Sequence, residues 1–274
     1  MERIKEALER ARGQRDEAGP ASARPGAKST PRSHDKAPVE QKIVYTQTRT
    51  LEPDLDWLRR HRVIAGPADP VANHYSVLRT HVLQRMRANN WRALAVTSPN
   101  EGAGKTLTAI NLAISMAREA NHTVLLVDLD LKRPSIHRYL WQEKLPGISD
   151  HILEDTPLPE LLVNPGIERL VVLPGHKALT HSSEMLSSPK MVNLVEDLKN
   201  RYPSRLVIFD MPPMLACDDV LAFSPYFDAA LLVVAEGDTQ KGDLKKSLEL
   251  LGKTELLGTV LNKSAESTSG YGYY

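Results

Sequence analysis

Residues 93–106 read ALAVTSPNEGAGKT, and this stretch decides the fold. The short apolar run Ala93–Thr97 has the character of a buried strand. A loop of small residues follows. Residues 105–120 then carry Ile110, Leu112, Ala113 and Met116 at the spacing of one helix face. Between strand and helix, Gly102 and Gly104 let the backbone curl so that successive N–H groups point into one concavity. The positive end of the helix dipole adds to that field. The strict phosphate-loop pattern, G-x-x-x-x-G-K-[ST], has glycine where Pro99 stands here. The part that touches phosphate, Glu101-Gly102-Ala103-Gly104-Lys105-Thr106, is intact. Lys105 offers a point charge to β- and γ-phosphates, and the Thr106 hydroxyl is a candidate Mg2+ ligand.

Outward from this loop the same alternation repeats. A helical stripe over 74–90 precedes it. Apolar runs at 123–128, 169–174, 205–210, 229–235 and 257–262 read as strands, with helical patterns at 189–200 and 241–251 between them. Continuous Val, Ile and Leu runs separated by helices mean a parallel sheet covered on both faces. The expected fold is a doubly wound, mostly parallel α/β sheet of the P-loop NTPase type, spanning 51–263.

Two more motifs end strands, and in such sheets the carboxyl edge is where ligands bind. VLLVDLDLKRP places Asp128 and Asp130 two residues apart at one strand end. Such a pair holds water and Mg2+ or accepts a proton from an attacking hydroxyl; read alone, it is also an ordinary solvated strand end. RLVIFD followed by MPP places Asp210 at another, in the pattern whose carboxylate orients Mg2+. Together, in this order, the three motifs indicate binding of a nucleotide with Mg2+.

The ends of the chain differ from its middle. Residues 1–12 suit a short amphipathic helix. Residues 13–50 are rich in Pro, Gly, Ser and charge and read as a disordered linker. Residues 1–50 hold 11 Lys and Arg against 7 Asp and Glu, so a mildly basic arm precedes a mildly acidic body. The last residues, 264–274, show no apolar periodicity, and Tyr271, Tyr273 and Tyr274 crowd into them. A mobile cluster of phenols beside a phosphoryl-transfer domain suggests an acceptor; the plainer alternative is a sticky tail that docks on another chain. The net charge of +1 argues against bulk nucleic-acid binding. The longest run without a charged residue, 106–117, is far short of the roughly 18–20 apolar residues of a membrane span. The single cysteine, Cys217, excludes an internal disulfide framework and is expected to be buried and structural. With no secretory signal at its start, the chain is expected in the cytoplasm.

SPNEGAGKT, VDLDLKRP, FDMPP and the tyrosine tail together resemble the bacterial tyrosine kinase (BY-kinase) family. MERIKEALERAR, SSEMLSSPKM and NKSAESTSGYGYY resemble its exopolysaccharide- and exosortase-associated branch. The resemblance implies an ATP-dependent tyrosine autokinase that phosphorylates its own tail, with ATP and Mg2+ as cofactors, acting in exopolysaccharide polymerisation or export. It implies that Lys105 and Thr106 are the Walker-A lysine and metal ligand. Asp128 and Asp130 are the second Walker motif, one of them serving as base or metal organiser, and Asp210 is the Walker-B acid. Asp219 matches a further family acid. Asn262 sits where related ATPases contact adenine. A separate transmembrane chain-length-determinant protein is the implied activator, holding the kinase at the inner face of the plasma membrane, and neighbouring copies of the chain are implied partners. Of the family's Glu-x-x-Arg-x-x-Arg assembly motif, the aligned residues 73–79 keep only Arg79. Two rivals share these motifs. One is a Min/Par-type positioning ATPase, although no extra lysine precedes Gly102 in SPNEG. The other is a non-catalytic nucleotide-binding adaptor of an export complex.

Overall fold

In strands with water on neither face, consecutive apolar residues serve two cores at once. A computed structural model describes residues 48–119, 122–202 and 204–264. The expected opening helix, nearly all of the linker, and Tyr271, Tyr273 and Tyr274 lie outside the described residues. Eight strands form one sheet: β1 (Arg49–Thr50), β2 (Ala93–Thr97), β3 (Thr123–Asp128), β4 (Val163–Asn164), β5 (Leu170–Leu173), β6 (Arg205–Asp210), β7 (Ala229–Ala235) and β8 (Leu256–Asn262). Their spatial order is β1-β4-β5-β3-β6-β2-β7-β8. Every neighbouring pair is parallel except β4 with β5.

Ten α-helices are described. They are α1 (Leu55–Arg60), α2 (Pro70–Ala88), α3 (Lys105–Ala117), α4 (Ile136–Leu140), α5 (Ile148–Glu154), α6 (Leu158–Leu161), α7 (Ser182–Leu186), α8 (Pro189–Asn200), α9 (Asp219–Phe223) and α10 (Lys241–Leu250). Alternate residues of each strand face opposite layers. Leu94, Val96, Leu126 and Ile208 pack with Val82, Leu83 and Met86 of α2 and Ile110 and Ile114 of α3. Ala95, Val127, Val207 and Phe209 pack on the other side with Leu194, Val195 and Leu198 of α8 and with Phe223. Phe209 meets Phe223 edge to face, at 5.0 Å between ring centroids and 83° between planes.

The strand register positions the chemistry. Asp128 stands opposite Asp210 in the β3–β6 ladder, and Val96 stands opposite Asp210 in the β2–β6 ladder. The three motifs therefore finish at one height on the carboxyl edge, on three adjacent strands.

Some elements depart from the sequence reading. β1 lies at 49–50, just before the expected domain start at 51, and pairs with β4. Each of these strands is two residues long, too short for any periodicity. α2 begins at Pro70, with Asp69 as its N-cap and the proline in its first turn, four residues before the visible stripe. α3 ends at Ala117 rather than at 120.

Phe209 is fully buried one residue before Asp210. Phe209→Ala is expected to cost about 3–5 kcal/mol in urea unfolding, as buried Phe truncations do. A loss below about 1 kcal/mol would show that this layer does not carry the sheet.

Candidate nucleotide and phosphoryl-transfer site

The loop between β2 and α3 is fixed by its backbone conformation and by three ties. Gly102 (φ 79°) and Gly104 (φ 89°) are both in the left-handed region, and Gly104 is the N-cap of α3. A Cβ on Gly104 would overlap the Asn262 amide. That amide, at the end of β8, donates to the Ala103 carbonyl at 2.8 Å. Asn100 donates to Asp243 at 2.7 Å. Pro99, where the strict pattern has glycine, offers its carbonyl to Leu215 N–H at 3.1 Å, which joins the loop to the segment after β6.

Four ionisable groups meet beneath this loop. Lys105 is almost fully buried, and its Nζ lies 2.8 Å from Asp130 Oδ2, 3.6 Å from Asp210 Oδ1 and 3.2 Å from Thr106 Oγ1. The Thr106 hydroxyl donates to Asp210 Oδ2 at 2.7 Å. Asp128 Oδ2 accepts from Ser135 N–H at 2.9 Å and from Ile136 N–H at 3.0 Å. Asp130 Oδ1 accepts from Arg133 N–H at 3.1 Å. Asp128 and Asp210 are both fully buried, and the Oδ1 atom of each has no hydrogen-bond partner among the described residues.

The electrostatics follow from this crowding. Burial works against the Lys105 charge, but Asp210 and Asp130 more than offset it and hold the ammonium above the ordinary lysine range. Burial, and then the charge of Asp210, push the Asp128 carboxyl up to about 8, against the two backbone N–H bonds and Lys105. Burial also raises Asp210, opposed by Lys105 and by the Thr106 hydroxyl.

Above these groups opens a cleft of about 420 Å3, lined by Glu101, Gly102, Gly104, Lys105, Thr106 and Asp130 among others. Asp128, Asp210 and Ala103 do not line the cleft. Asn262 braces the loop backbone through the Ala103 carbonyl. Arg79 donates to the Ser115 carbonyl of α3 at 3.3 Å, so it ties α2 to α3. Cys217, expected to be buried and structural, is half-buried on the cleft wall, because the loop after Pro213 turns back over the site. Asp219 is fully buried.

Sequence reasoning missed the opposite wall of the cleft. Lys132, Arg133, Ser135 and Arg138 all line it, and Arg133 pairs with Glu101 at the rim. Lys132 and Arg133 stand two and three residues after Asp130 in VDLDLKRP, so their position was readable.

The donor set suits Mg2+ arriving with phosphate. Such an ion keeps waters and phosphate oxygens and needs only one or two carboxylates. The Thr106 hydroxyl and the two unpartnered Oδ1 atoms provide hard oxygen donors. No cluster of three or more His, Cys, Asp or Glu able to hold a metal alone exists among the described residues.

Between pH 3.8 and about 8 the folded chain keeps a proton on Asp128 that the unfolded chain has lost. Unfolding then releases a proton, and stability falls as pH rises through that window. In EDTA and without nucleotide, Asp128→Asn should gain on the parent steadily from pH 5 to pH 8 in thermal melts. A pH-independent difference would contradict the shifted carboxyl.

Comparison with known proteins agrees with the geometry. A family described as an AAA domain matches residues 91–234. Tyrosine-protein kinase YwqD of Bacillus subtilis is 31% identical over 79% of this chain and 92% of its own. Tyrosine-protein kinase CpsD of Streptococcus pneumoniae is 30% identical over 73% of this chain and 87% of its own. The solved kinase domain of Escherichia coli tyrosine kinase ETK superposes with a TM-score of 0.68 at 26% identity, covering 84% of this chain and 94% of that one. A glycine loop whose lysine is caged by strand-end acids, on this sheet and with these relatives, places the chain in the family of bacterial tyrosine-protein kinases, to which it belongs.

Proposed function

We propose that the chain is an ATP-dependent autokinase whose acceptors are Tyr271, Tyr273 and Tyr274. The observation that supports this best is the caged lysine, with Lys105 Nζ 2.8 Å from Asp130 and 3.6 Å from Asp210 at the mouth of a phosphate loop. In this reading Lys105 leaves Asp130 for the phosphates when nucleotide binds. The freed Asp130 carboxylate, on the cleft surface, accepts the phenol proton. The phenol oxygen forms a bond to the γ-phosphorus, the bond from phosphorus to the bridging oxygen breaks, and ADP leaves with the electron pair. The amides of residues 101–106 and Lys105 spread the charge that develops on the transferred group. Thr106, Asp210 and Asp128 are the residues that would hold Mg2+, and the ion would neutralise phosphate charge. Asn262 keeps the loop amides aimed by holding the Ala103 carbonyl.

The setting we propose is control of exopolysaccharide polymerisation or export. A separate transmembrane activator of the chain-length-determinant type would hold the kinase at the inner membrane face. No helix among the described residues is long and apolar enough to cross a membrane, so this reading assigns anchoring to the partner. Tyr274 lies 11 residues past Lys263, at most roughly 36 Å along the chain, a reach that allows transfer to a neighbouring copy. Three phosphates would add roughly five negative charges beside an already acidic site and drive the tail away.

Incubation with γ-labelled ATP and Mg2+ tests the proposal. The parent should label on residues 271–274. Lys105→Met should fold and carry no label. A chain ending at 269 should bind nucleotide without labelling itself, yet label the intact tail of Lys105→Met when the two are mixed. Release of inorganic phosphate with no labelled tyrosine would favour a positioning ATPase. Nucleotide binding with neither product would favour an adaptor.

A further inference from the structure

Asp219 has no part in the mechanism above, and its surroundings are unusual. It is fully buried, and neither carboxyl oxygen has a hydrogen-bond partner among the described residues. A carboxylate removed from water without hydrogen bonds is among the costliest groups a fold can contain. Lys132 Nζ stands 4.0 Å from its Oδ1, too far for a hydrogen bond and close enough for electrostatic attraction. The Lys132 side chain is 42% exposed and lines the same cleft as Lys105 and Thr106. Cys217, on the same wall, adds no charge: burial and the nearby Asp219 carboxylate push its thiol up to about 11.

The backbone beneath Lys132 is held on both sides. Leu131 is fully buried, and its carbonyl accepts from Leu179 N–H at 2.8 Å. Arg133 N–H is bonded to Asp130. The freedom left to Lys132 is therefore in its side chain, with a fixed negative charge behind it. The cleft needs such a cation. Lys105 faces Asp128, Asp130 and Asp210, and a nucleoside triphosphate brings further negative charge. Arg133, the other basic residue of the motif, is spent on Glu101 at the exposed rim.

We infer that Lys132 is a second phosphate-facing cation of the cleft, directed at the terminal phosphate, and that Asp219 is its positioning residue. The inference rests on the nucleotide reading of this site and extends it to the choice between triphosphate and diphosphate. An ammonium steadied by an inaccessible carboxylate keeps its position as nucleotide enters and leaves. The carboxylate itself never touches the ligand.

The test measures ATP and ADP affinities of the full chain by competition with a fluorescent nucleotide in Mg2+, alongside thermal melts. Lys132→Ala and Asp219→Asn should each lower the preference for ATP over ADP roughly tenfold, the scale of one charge-assisted contact. The double variant should lose no more than the worse single one, because both act on one contact. Lys132→Arg should restore most of the preference. Asp219→Asn should melt no lower than the parent, since the amide keeps the shape of a carboxyl group that has no hydrogen bond to lose among the described residues, whereas a structural role predicts a lower melting temperature. An unchanged ATP-to-ADP ratio in Asp219→Asn would overturn the inference. So would losses that multiply in the double variant, or a ratio that falls only together with the melting temperature. Self-labelling of the same parent sample separates the two claims. A parent that discriminates ATP through Lys132 but labels no tyrosine would refute the kinase reading alone.

Discussion

Two carboxylates side by side in one β-ladder, out of reach of water, are the constraint around which this molecule is built. Asp128 and Asp210 are register partners at the ends of β3 and β6, and both are fully buried. Like charges this close oppose each other's ionisation, and burial opposes it further. Lys105 relieves the conflict with a cation delivered by α3 from the neighbouring loop, supported by the Thr106 hydroxyl. The loop geometry, the parallel register and the lysine thus depend on one another. Moving the register by one residue would turn both acids toward the apolar layers.

The apolar layers keep that arrangement rigid. Phe209 and Val127 lie one residue before the two acids and pack into the layer that α8 covers. Val96 and Ile110 fix β2 and α3 in the opposite layer. Asn262 at the end of β8 and Leu215 after β6 hold the loop to segments far away in sequence. The site is therefore assembled from rigid strand ends, while the groups that must change partners are side chains: Lys105, and Lys132 in the inference above.

Much of this was legible in the sequence. β2, β3, β6 and β7 coincide with their apolar runs because strands buried on both faces require uninterrupted Val, Leu, Ile and Ala. Gly102, Gly104, Lys105, Thr106, Asp128, Asp130 and Asp210 were named from spacing, since a phosphate loop and strand-end acids are local patterns. What was not legible depends on contacts between distant segments. Nothing near Asn262 announces that its amide reaches Ala103, and nothing in Asp219 announces that it is buried without a hydrogen bond. β1 and β4, two residues each, are strands only through pairing, β1 with β4 and β4 also with β5. Nor does the sequence announce that the Arg79 guanidinium is bonded to the Ser115 carbonyl of α3.

The central claim is that Lys105, Thr106, Asp128 and Asp210 form a prebuilt seat for a nucleotide with Mg2+. A ligand that binds only the folded chain raises its stability in proportion to its affinity, so melting temperatures read that seat directly. The decisive measurement compares the shift caused by ADP with Mg2+ to the shift caused by ADP with EDTA, in the parent and in Asp210→Asn. The account predicts a much larger shift with Mg2+ in the parent, and loss of that excess in Asp210→Asn with the EDTA shift retained. Equal shifts with and without Mg2+ in the parent, or an excess that survives in Asp210→Asn, would contradict it.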